Sequence, residues 1–349
     1  MADLLIHSLA EFREVIEGVL ATVEPAHIVE VGAESGRTTE MLSDWAVAHR
    51  ARLTTVDPSP ADRVRTLAAR VPSAHRLLTE RSPAALVGLD AAQLYLLDGD
   101  HNYWTVANEL RHIRETTTSA SVMPVVLAHD VGWPCARRDQ YYDPSALPPE
   151  AVHPHTFTQG VHPEHSAPID GGFVSNGHYA RALVEGGPKN GVLTALEDFL
   201  AESPGWELHI VPAVFGLGVL FPSAHPRRAE LLEVLRPYAQ NPLVARLEEN
   251  RLRNWVEVLM LLAREELTLT DLHATRAHRD ALGRDLEAVR HERALLHSER
   301  DAARTERDQL AARLAEVEQR LAEVEQRHQR LAERWYAKAG TWVDSRRRR

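Results

Sequence analysis

The sequence has little cysteine, no excess of basic residues and no hydrophobic run long enough to cross a bilayer as a helix. Its only cysteine, Cys135, excludes an intramolecular disulfide and a cysteine-rich zinc module. Aspartate and glutamate (50) outnumber lysine and arginine (40), and the net charge of -10 argues against extensive nucleic-acid binding. The N-terminus lacks the basic and apolar regions of a secretion signal. We therefore expect a globular, cytoplasmic protein whose main partner is a small molecule.

Strand-like and helix-like patterns alternate from residue 26 to residue 129. This alternation predicts a Rossmann-like, doubly wound α/β sheet that is mostly parallel. Two later apolar segments, 206–211 and 213–221, are close enough in sequence to form an antiparallel hairpin at the C-terminal end of that sheet. A parallel sheet with such a hairpin is more typical of a methyltransferase than of a dinucleotide dehydrogenase.

The last third of the chain carries a heptad pattern. One series is spaced by seven residues without a break: Leu282, Val289, Leu296, Ala303, Leu310, Val317, Val324 and Leu331. A second series supplies the other seam position, although arginine occupies three successive places in it. This pattern predicts a long α-helical coiled coil and hence a homo-oligomer. A single solvated helix is the alternative.

The predicted organisation has four parts. Residues 1–222 form a methyltransferase-like domain, in which 131–188 are an aperiodic insertion that we expect to act as a lid. A helical connector (223–270) and the coiled coil (271–335) follow. The basic tail, 336–349, is expected to be a solvated end, with peripheral contact to an anionic membrane as the less favoured alternative.

A glycine-containing turn joins the first predicted strand to the helix after it. Glu30, Gly32 and Gly36 give the pattern E-x-G-x-x-x-G, which differs from the dinucleotide fingerprint G-x-G-x-x-G. Glycine lets the backbone approach a ligand closely, and the following helix directs free N–H groups toward it. The pattern resembles the first motif of class I S-adenosylmethionine (SAM)-dependent methyltransferases, so these three residues are expected to bind SAM. A purely structural turn is the alternative.

Asp57 follows the second predicted strand, 21 residues after Gly36. A carboxylate at this position can accept hydrogen bonds from both ribose hydroxyls of a nucleoside cofactor. Its alternative role, capping before Pro58, is compatible with cofactor binding.

Polar residues follow the next two predicted strands, in the segments Asp98-Gly99-Asp100-His101 and His129-Asp130. The ends of parallel strands meet in the ligand crevice of an open sheet. Carboxylates with an imidazole suit Mg²⁺ or another divalent cation, which can lower the pKa of a substrate hydroxyl. Acidic strand ends also occur in this fold without a metal.

The D-G-D-H-x-Y segment, followed by H-D after another strand, resembles the methyltransferase group that contains the macrolide sugar O-methyltransferases and the cephalosporin-hydroxylase-like proteins. The resemblance implies that Asp98 is a metal ligand and that His101 is the general base. His129 and Asp130 correspond to the further ligands, although that group has glutamate where this chain has His129. His129 could instead bond to the backbone, and His101 could orient the helix after it.

The start of the insertion supplies candidate substrate residues. Arginine beside aromatic rings suits phosphate, carboxylate or sugar recognition, and the candidates are Trp133, Arg137, Arg138, Tyr141 and Tyr142. The histidines farther along this insertion are more typical of a solvated loop than of a zinc site.

The favoured function is SAM-dependent, metal-assisted O-methylation of a sugar or specialised-metabolite hydroxyl. A cephalosporin-hydroxylase-like, metal-dependent oxidative enzyme is one alternative. A non-catalytic scaffold that binds a cofactor or glycan and recruits partners through its coiled coil is the other.

Overall fold

The computed structural model describes residues 5–296, 310–327 and 329–330. The chain divides into two compact units, Met1–Glu266 and Leu267–Arg349. The α-helices are α1 (Arg13–Val23), α2 (Arg37–His49), α3 (Asp62–Arg70), α4 (Tyr103–Ser119), α5 (Val192–Glu202), α6 (Arg228–Leu235) and α7 (Pro242–Leu296). The strands are β1 (His27–Val31), β2 (Arg52–Val56), β3 (His75–Leu78), β4 (Leu94–Leu97), β5 (Val125–His129), β6 (Gln140–Tyr141), β7 (His155–Thr156), β8 (Gly160–His162), β9 (His165–Ile169), β10 (Ala180–Ala182), β11 (Trp206–Val211) and β12 (Leu217–Pro222).

The first unit is built on a seven-stranded sheet in the order β11-β12-β5-β4-β1-β2-β3. Strands β1 to β5 are parallel to one another. Strand β12 inserts antiparallel between β5 and β11. This confirms the predicted α/β class and its C-terminal hairpin.

The central strands are buried on both faces, and their alternating side chains feed two apolar clusters. On β1, Ile28 packs in a cluster with residues of α1, α2 and α6. Val29 and Val31 point to the opposite face and pack with residues of α4 and α5. Because both faces are covered by helices, the carboxyl edge of the parallel strands is left as the place for a ligand.

The boundary predicted at residue 222 does not coincide with the division between the units. Helix α6 belongs to the first unit because Leu231 and Leu235 are buried in the core beside α1. The first part of α7 belongs there too, since Leu252 packs with Leu5 and Phe215. Part of the predicted connector is therefore a component of the α/β unit.

The insertion contains more regular structure than its aperiodic sequence indicates. Strands β6, β10 and β7 form a small antiparallel sheet, and β8 pairs with β9. The short strands carry too few residues to show a period of two, which explains why the sequence pattern misses them.

The described residues of the second unit are helical, over 267–296, 310–327 and 329–330. Large apolar side chains of the predicted seam are exposed, among them Leu310 (48%), Val317 (59%) and Val324 (51%). The remaining parts of the predicted coiled coil (297–309, 328 and 331–335) and the basic tail (336–349) lie outside the described residues. Within the described part of the chain, no helix is long and apolar enough to cross a membrane.

Candidate active site

The glycine loop after β1 lies directly against the end of β4. Gly32 has φ +82°, and a Cβ added to it would lie 2.0 Å from the carbonyl oxygen of Asp98. Gly36 has φ +78° at the start of α2. Glycine is therefore required at residue 32 for two reasons, the backbone conformation and the close approach of two strand ends.

Asp57 ties this loop to the end of β2. Its Oδ2 accepts a hydrogen bond from the Ala33 amide (2.9 Å), and its Oδ1 accepts one from the Ser59 amide (2.8 Å). Two carboxylate oxygens offer about four lone-pair positions, so these amides leave acceptor capacity for ribose hydroxyls. The hydrogen bond from the Ser59 amide closes a local turn after β2, before α3 begins at Asp62.

Glu30 lies beneath the glycine loop instead of at the cleft surface. Its side chain is completely buried and accepts a hydrogen bond at Oε2 from the Thr55 hydroxyl (2.9 Å), which also contacts His75 Nε2 (2.9 Å). Burial raises the pKa of Glu30 to about 8, with smaller opposing effects from hydroxyls such as that of Thr55. The sequence predicted that Glu30 binds the cofactor. Its burial and its hydrogen bond with Thr55 instead place it beneath the loop, which it supports.

Asp98, His129 and Asp130 come together at the ends of β4 and β5. One ligand atom from each lies within 4.8 Å of the others. His129 Nδ1 is 2.9 Å from Asp98 Oδ1 and 3.3 Å from Asp130 Oδ2. The structure thus assembles the three predicted metal ligands in one cluster.

The His129 ring is held from both sides. Its Nε2 donates to the carbonyl oxygen of Val214 (2.8 Å), so the other nitrogen faces the two carboxylates. Burial lowers the pKa of His129, but Asp98 and Asp130 outweigh burial and hold this pKa well above its usual value. A proton or a cation must lie between Nδ1 and these carboxylates, because a bare lone pair there would be repelled.

The donor set fits a divalent cation. A metal-binding histidine commonly donates its second ring N–H to a backbone carbonyl, as His129 does to Val214. Carboxylate oxygens of the kind that Asp98 and Asp130 present are preferred by Mg²⁺ and Mn²⁺.

His101 is buried beside this cluster. Its Nδ1 lies 3.2 Å from Asp130 Oδ2, and its ring centroid is 5.9 Å from that of Tyr142. Burial raises the pKa of Asp130, but the imidazoles of His101 and His129 outweigh it and lower this pKa to about 2. Asp130 is therefore an ionised carboxylate that lies at ion-pair distance from Nδ1 of His101.

Of the five predicted substrate residues, only Tyr142 contacts His101. Arg138 and Tyr141 are buried: Arg138 donates to the carbonyls of Ala182 and Ser166, and the Tyr141 hydroxyl donates to Asp139. These two side chains therefore hold the insertion together and do not lie open to a substrate. Buried carbonyls and carboxylates of the insertion need hydrogen-bond donors, and Arg138 and Tyr141 supply them.

The remaining two predicted substrate residues also pack within the protein. Arg137 makes a bidentate ion pair with Glu197 of α5. Trp133 packs against Phe173, with ring centroids 6.1 Å apart.

Sequence patterns did not reveal Asp139, Tyr179 or Arg181. Asp139 is fully buried and accepts hydrogen bonds from the Tyr103 amide (2.8 Å) and the Gly191 amide (2.7 Å), which joins the insertion to α4 and α5. Arg181, 2% exposed, lies over the Tyr179 ring at 5.0 Å and contributes to the low pKa of Asp130. Tyr179 in turn meets Tyr142 edge-on at 6.1 Å. Tyr179 and Arg181 gave no signal because they lie at the far end of the insertion, and Asp139, although next to Arg138, belongs to no motif that would single it out.

Residues 29–131 match a family model described as a methyltransferase domain. The matched region includes the glycine loop, Asp57, His101 and the Asp98–His129–Asp130 cluster. The match confirms the predicted enzyme class, a SAM-dependent methyltransferase. No curated protein sequence matches the chain.

Several solved structures are similar to part of this chain. The SAH-bound methyltransferase PaMTH1 of Podospora anserina is 14% identical, with 60% of this chain and 75% of that one covered and a TM-score of 0.36. A methyltransferase from Geobacter sulfurreducens is 9% identical, with 62% and 80% covered and a TM-score of 0.33. An SAH complex of an O-methyltransferase from Bacillus cereus is 11% identical, with 63% and 85% covered and a TM-score of 0.38.

Proposed function

We propose that this protein transfers the methyl group of SAM to a hydroxyl oxygen of a sugar or another specialised metabolite. The observation that carries the proposal is the placement of His101 at the carboxyl edge of the sheet, where its Nδ1 lies 3.2 Å from Asp130 Oδ2. The glycine loop lies against Asp98 at the same edge. This arrangement sets a proton acceptor beside the segment that suits a methyl donor.

The cofactor is held by backbone and carboxylate groups of the first two βα units. The loop containing Gly32 and Gly36 receives the methionine part of SAM, and Asp57 accepts the ribose hydroxyls. Glu30 supports the loop from below through Thr55. SAM supplies a methyl group on a sulfonium, which is already electrophilic.

His101 removes the proton of the acceptor hydroxyl. The negative charge of Asp130, 3.2 Å from Nδ1 of His101, favours a proton on that nitrogen. Nε2 then accepts the hydroxyl proton as the oxygen–methyl bond forms and the sulfur–methyl bond breaks. The products are the methyl ether, S-adenosylhomocysteine and a protonated His101, which returns its proton to water. In-line alignment of donor and acceptor provides the rest of the acceleration.

A divalent cation, Mg²⁺ or a related ion, is part of the proposal. Asp98, His129 and Asp130 would hold it, and bound there it would stabilise negative charge on the acceptor oxygen. Tyr142 and Tyr179 provide aromatic surfaces for the acceptor next to His101.

The test is transfer of an isotope-labelled methyl group from SAM to a panel of sugar and phenolic acceptors. We expect labelled product with the wild-type chain and a loss of at least about 100-fold with His101→Ala, at unchanged SAM affinity. His165→Ala removes an exposed histidine of the insertion and serves as the matched control. No labelled product from a broad panel, or full activity of His101→Ala, would refute the proposed reaction.

We further propose that the C-terminal helix pairs with a second copy of this chain. Leu310, Val317 and Val324 lie seven residues apart and are half exposed on the described helix. A strip of this kind is costly to leave in water, and an identical heptad strip is a complementary partner for it.

A further inference from the structure

The turn between β11 and β12 is strained where it contacts the active site. Val214 and Phe215 have φ +46° and +64°, in the left-handed region that non-glycine residues seldom adopt. A non-glycine residue in this region is unfavourable unless surrounding contacts hold it there. The Val214 carbonyl is the group that accepts the hydrogen bond from His129 Nε2.

Glu248 of α7 holds this turn from outside. Its Oε1 accepts a hydrogen bond from the backbone amide of Phe215 (2.9 Å). Because Phe215 is buried, its amide would lose its partner without this carboxylate, and an unpaired buried amide is unfavourable.

Arg251, one helical turn later, fixes the carboxylate in place. Its Nε lies 2.6 Å from Glu248 Oε2 and its Nη2 lies 2.7 Å from Oε1, a bidentate pair. The same guanidinium lies over the Phe215 ring at 5.1 Å and donates to the carbonyl oxygen of Ile6 (2.9 Å). Glu248 is thus a clamped side chain, 12% exposed, and not a mobile surface carboxylate.

A continuous set of contacts therefore leads from α7 to the catalytic edge of the sheet. Glu248 bonds to Phe215, the adjacent Val214 bonds to His129, and His129 contacts Asp98. Phe215 also stacks on Phe173, whose carbonyl accepts a hydrogen bond from Arg181. All of these residues belong to the first unit.

We propose that Glu248 is a positioning residue for the methyl-transfer site. Glu248 holds the Val214–Phe215 turn in its strained form and thereby fixes the ring of His129 against Asp98. This inference rests on the proposed function, since the site that Glu248 positions is the proposed methyl-transfer site. Glu248 itself contacts neither the cofactor nor the acceptor.

The test uses the full chain and three variants: Glu248→Ala, Glu248→Gln and Glu249→Ala. The glutamine retains an acceptor oxygen for the Phe215 amide. Glu249 is the matched control, because it is the next glutamate of the same helix and forms only an exposed pair with Arg253. The primary measurement is the NMR signal of the His129 Nε2 proton in the protein alone.

We expect Glu248→Ala to shift this signal or to lose it through faster exchange, while Glu248→Gln and Glu249→Ala leave it in place. In methyl transfer, kcat should fall about 10-fold in Glu248→Ala with the KM for SAM within about twofold of wild type. If Glu248→Ala does not fold, Arg251→Met frees the carboxylate without removing it and should produce a smaller shift of the same signal.

An unchanged His129 signal in a folded Glu248→Ala protein would overturn the proposal, as would an equal shift in Glu249→Ala. The signal is recorded without cofactor or acceptor, so it decides the role of Glu248 even if no acceptor is methylated. Absence of methyl transfer by the wild-type chain would count against the proposed function alone.

Discussion

Gly32 and Asp98 approach each other more closely than any side chain would allow. A Cβ on Gly32 would lie 2.0 Å from the carbonyl oxygen of Asp98, so the glycine loop and the Asp98–His129–Asp130 cluster share one packed junction. The loop that suits the cofactor cannot move without moving the end of β4.

We expect Gly32→Ala to destabilise the protein and abolish SAM binding. Gly88→Ala is the matched control, because Gly88 has a similar φ of +86° but no atom within 4 Å of an added Cβ. Both substitutions should lose about 1–2 kcal/mol of folding free energy through backbone conformation, and Gly32→Ala should lose roughly another 1–3 kcal/mol through the clash. Denaturant unfolding measures the difference, and equal losses for the two variants would contradict the junction.

Asp57→Asn is expected to weaken SAM binding by about 10-fold or more. Both carboxylate oxygens accept backbone amides, so one of these amides would face the NH₂ group of the new side chain and the glycine loop would loosen. Asp90→Asn removes the same charge from an exposed position and should bind SAM normally. Calorimetric titration with SAM measures both, and unchanged affinity in Asp57→Asn would remove the proposed ribose contact.

Titration with Mn²⁺ is expected to show one binding site per chain. Asp98→Asn should lower the affinity by at least about 10-fold because Asp98 and His129 act together in the cluster. Asp62→Asn, an exposed aspartate at the start of α3, should have no effect. If the wild-type chain binds no divalent cation, the metal is excluded from the proposed function, and a proton on His129 Nδ1 then faces the two carboxylates.

Glu30→Gln is expected to change how stability depends on pH. The folded chain keeps a proton on Glu30 up to about pH 8, whereas an unfolded chain releases it near pH 4.5. In this window the folded state binds more protons, so stability falls as the pH rises, by about 1.4 kcal/mol for each pH unit from this group. Glutamine resembles the protonated acid and removes that slope.

The two proteins should therefore be similarly stable at pH 5, and Glu30→Gln should be the more stable at pH 8. Unfolding in urea across this range measures the difference. Glu34→Gln, an exposed glutamate of the same loop, should keep the wild-type slope. An unchanged slope in Glu30→Gln would show that the carboxyl is ionised in the folded protein.

The full chain is expected to be an oligomer, and lysine in the heptad strip should dissociate it. Val317→Lys with Val324→Lys places charges in the apolar seam, whereas Gln319→Lys with Gln326→Lys adds the same charges at the same spacing on the opposite face. Light scattering after size-exclusion chromatography measures the mass. A monomeric wild-type chain, or equal dissociation by both pairs, would contradict the pairing.

The sequence by itself determined the α/β class, the terminal hairpin and the glycine loop, because these depend on local periodicity and on backbone conformations that only certain residues adopt. It also located the polar strand ends, since neighbouring parallel strands must place their carboxyl ends at one edge. The contact of His129 with Val214 lies beyond such reasoning, as 85 residues separate the two.

The tertiary structure alone decided what each polar residue in and around the insertion does. Arg138 looks like a substrate residue from its position after Asp130, yet burial commits it to carbonyls of its own segment. Arg181 and Glu248 carry no local signal but contribute through space to the same site. Hydrogen bonding and desolvation depend on which groups fold together, and separation along the chain does not reveal this.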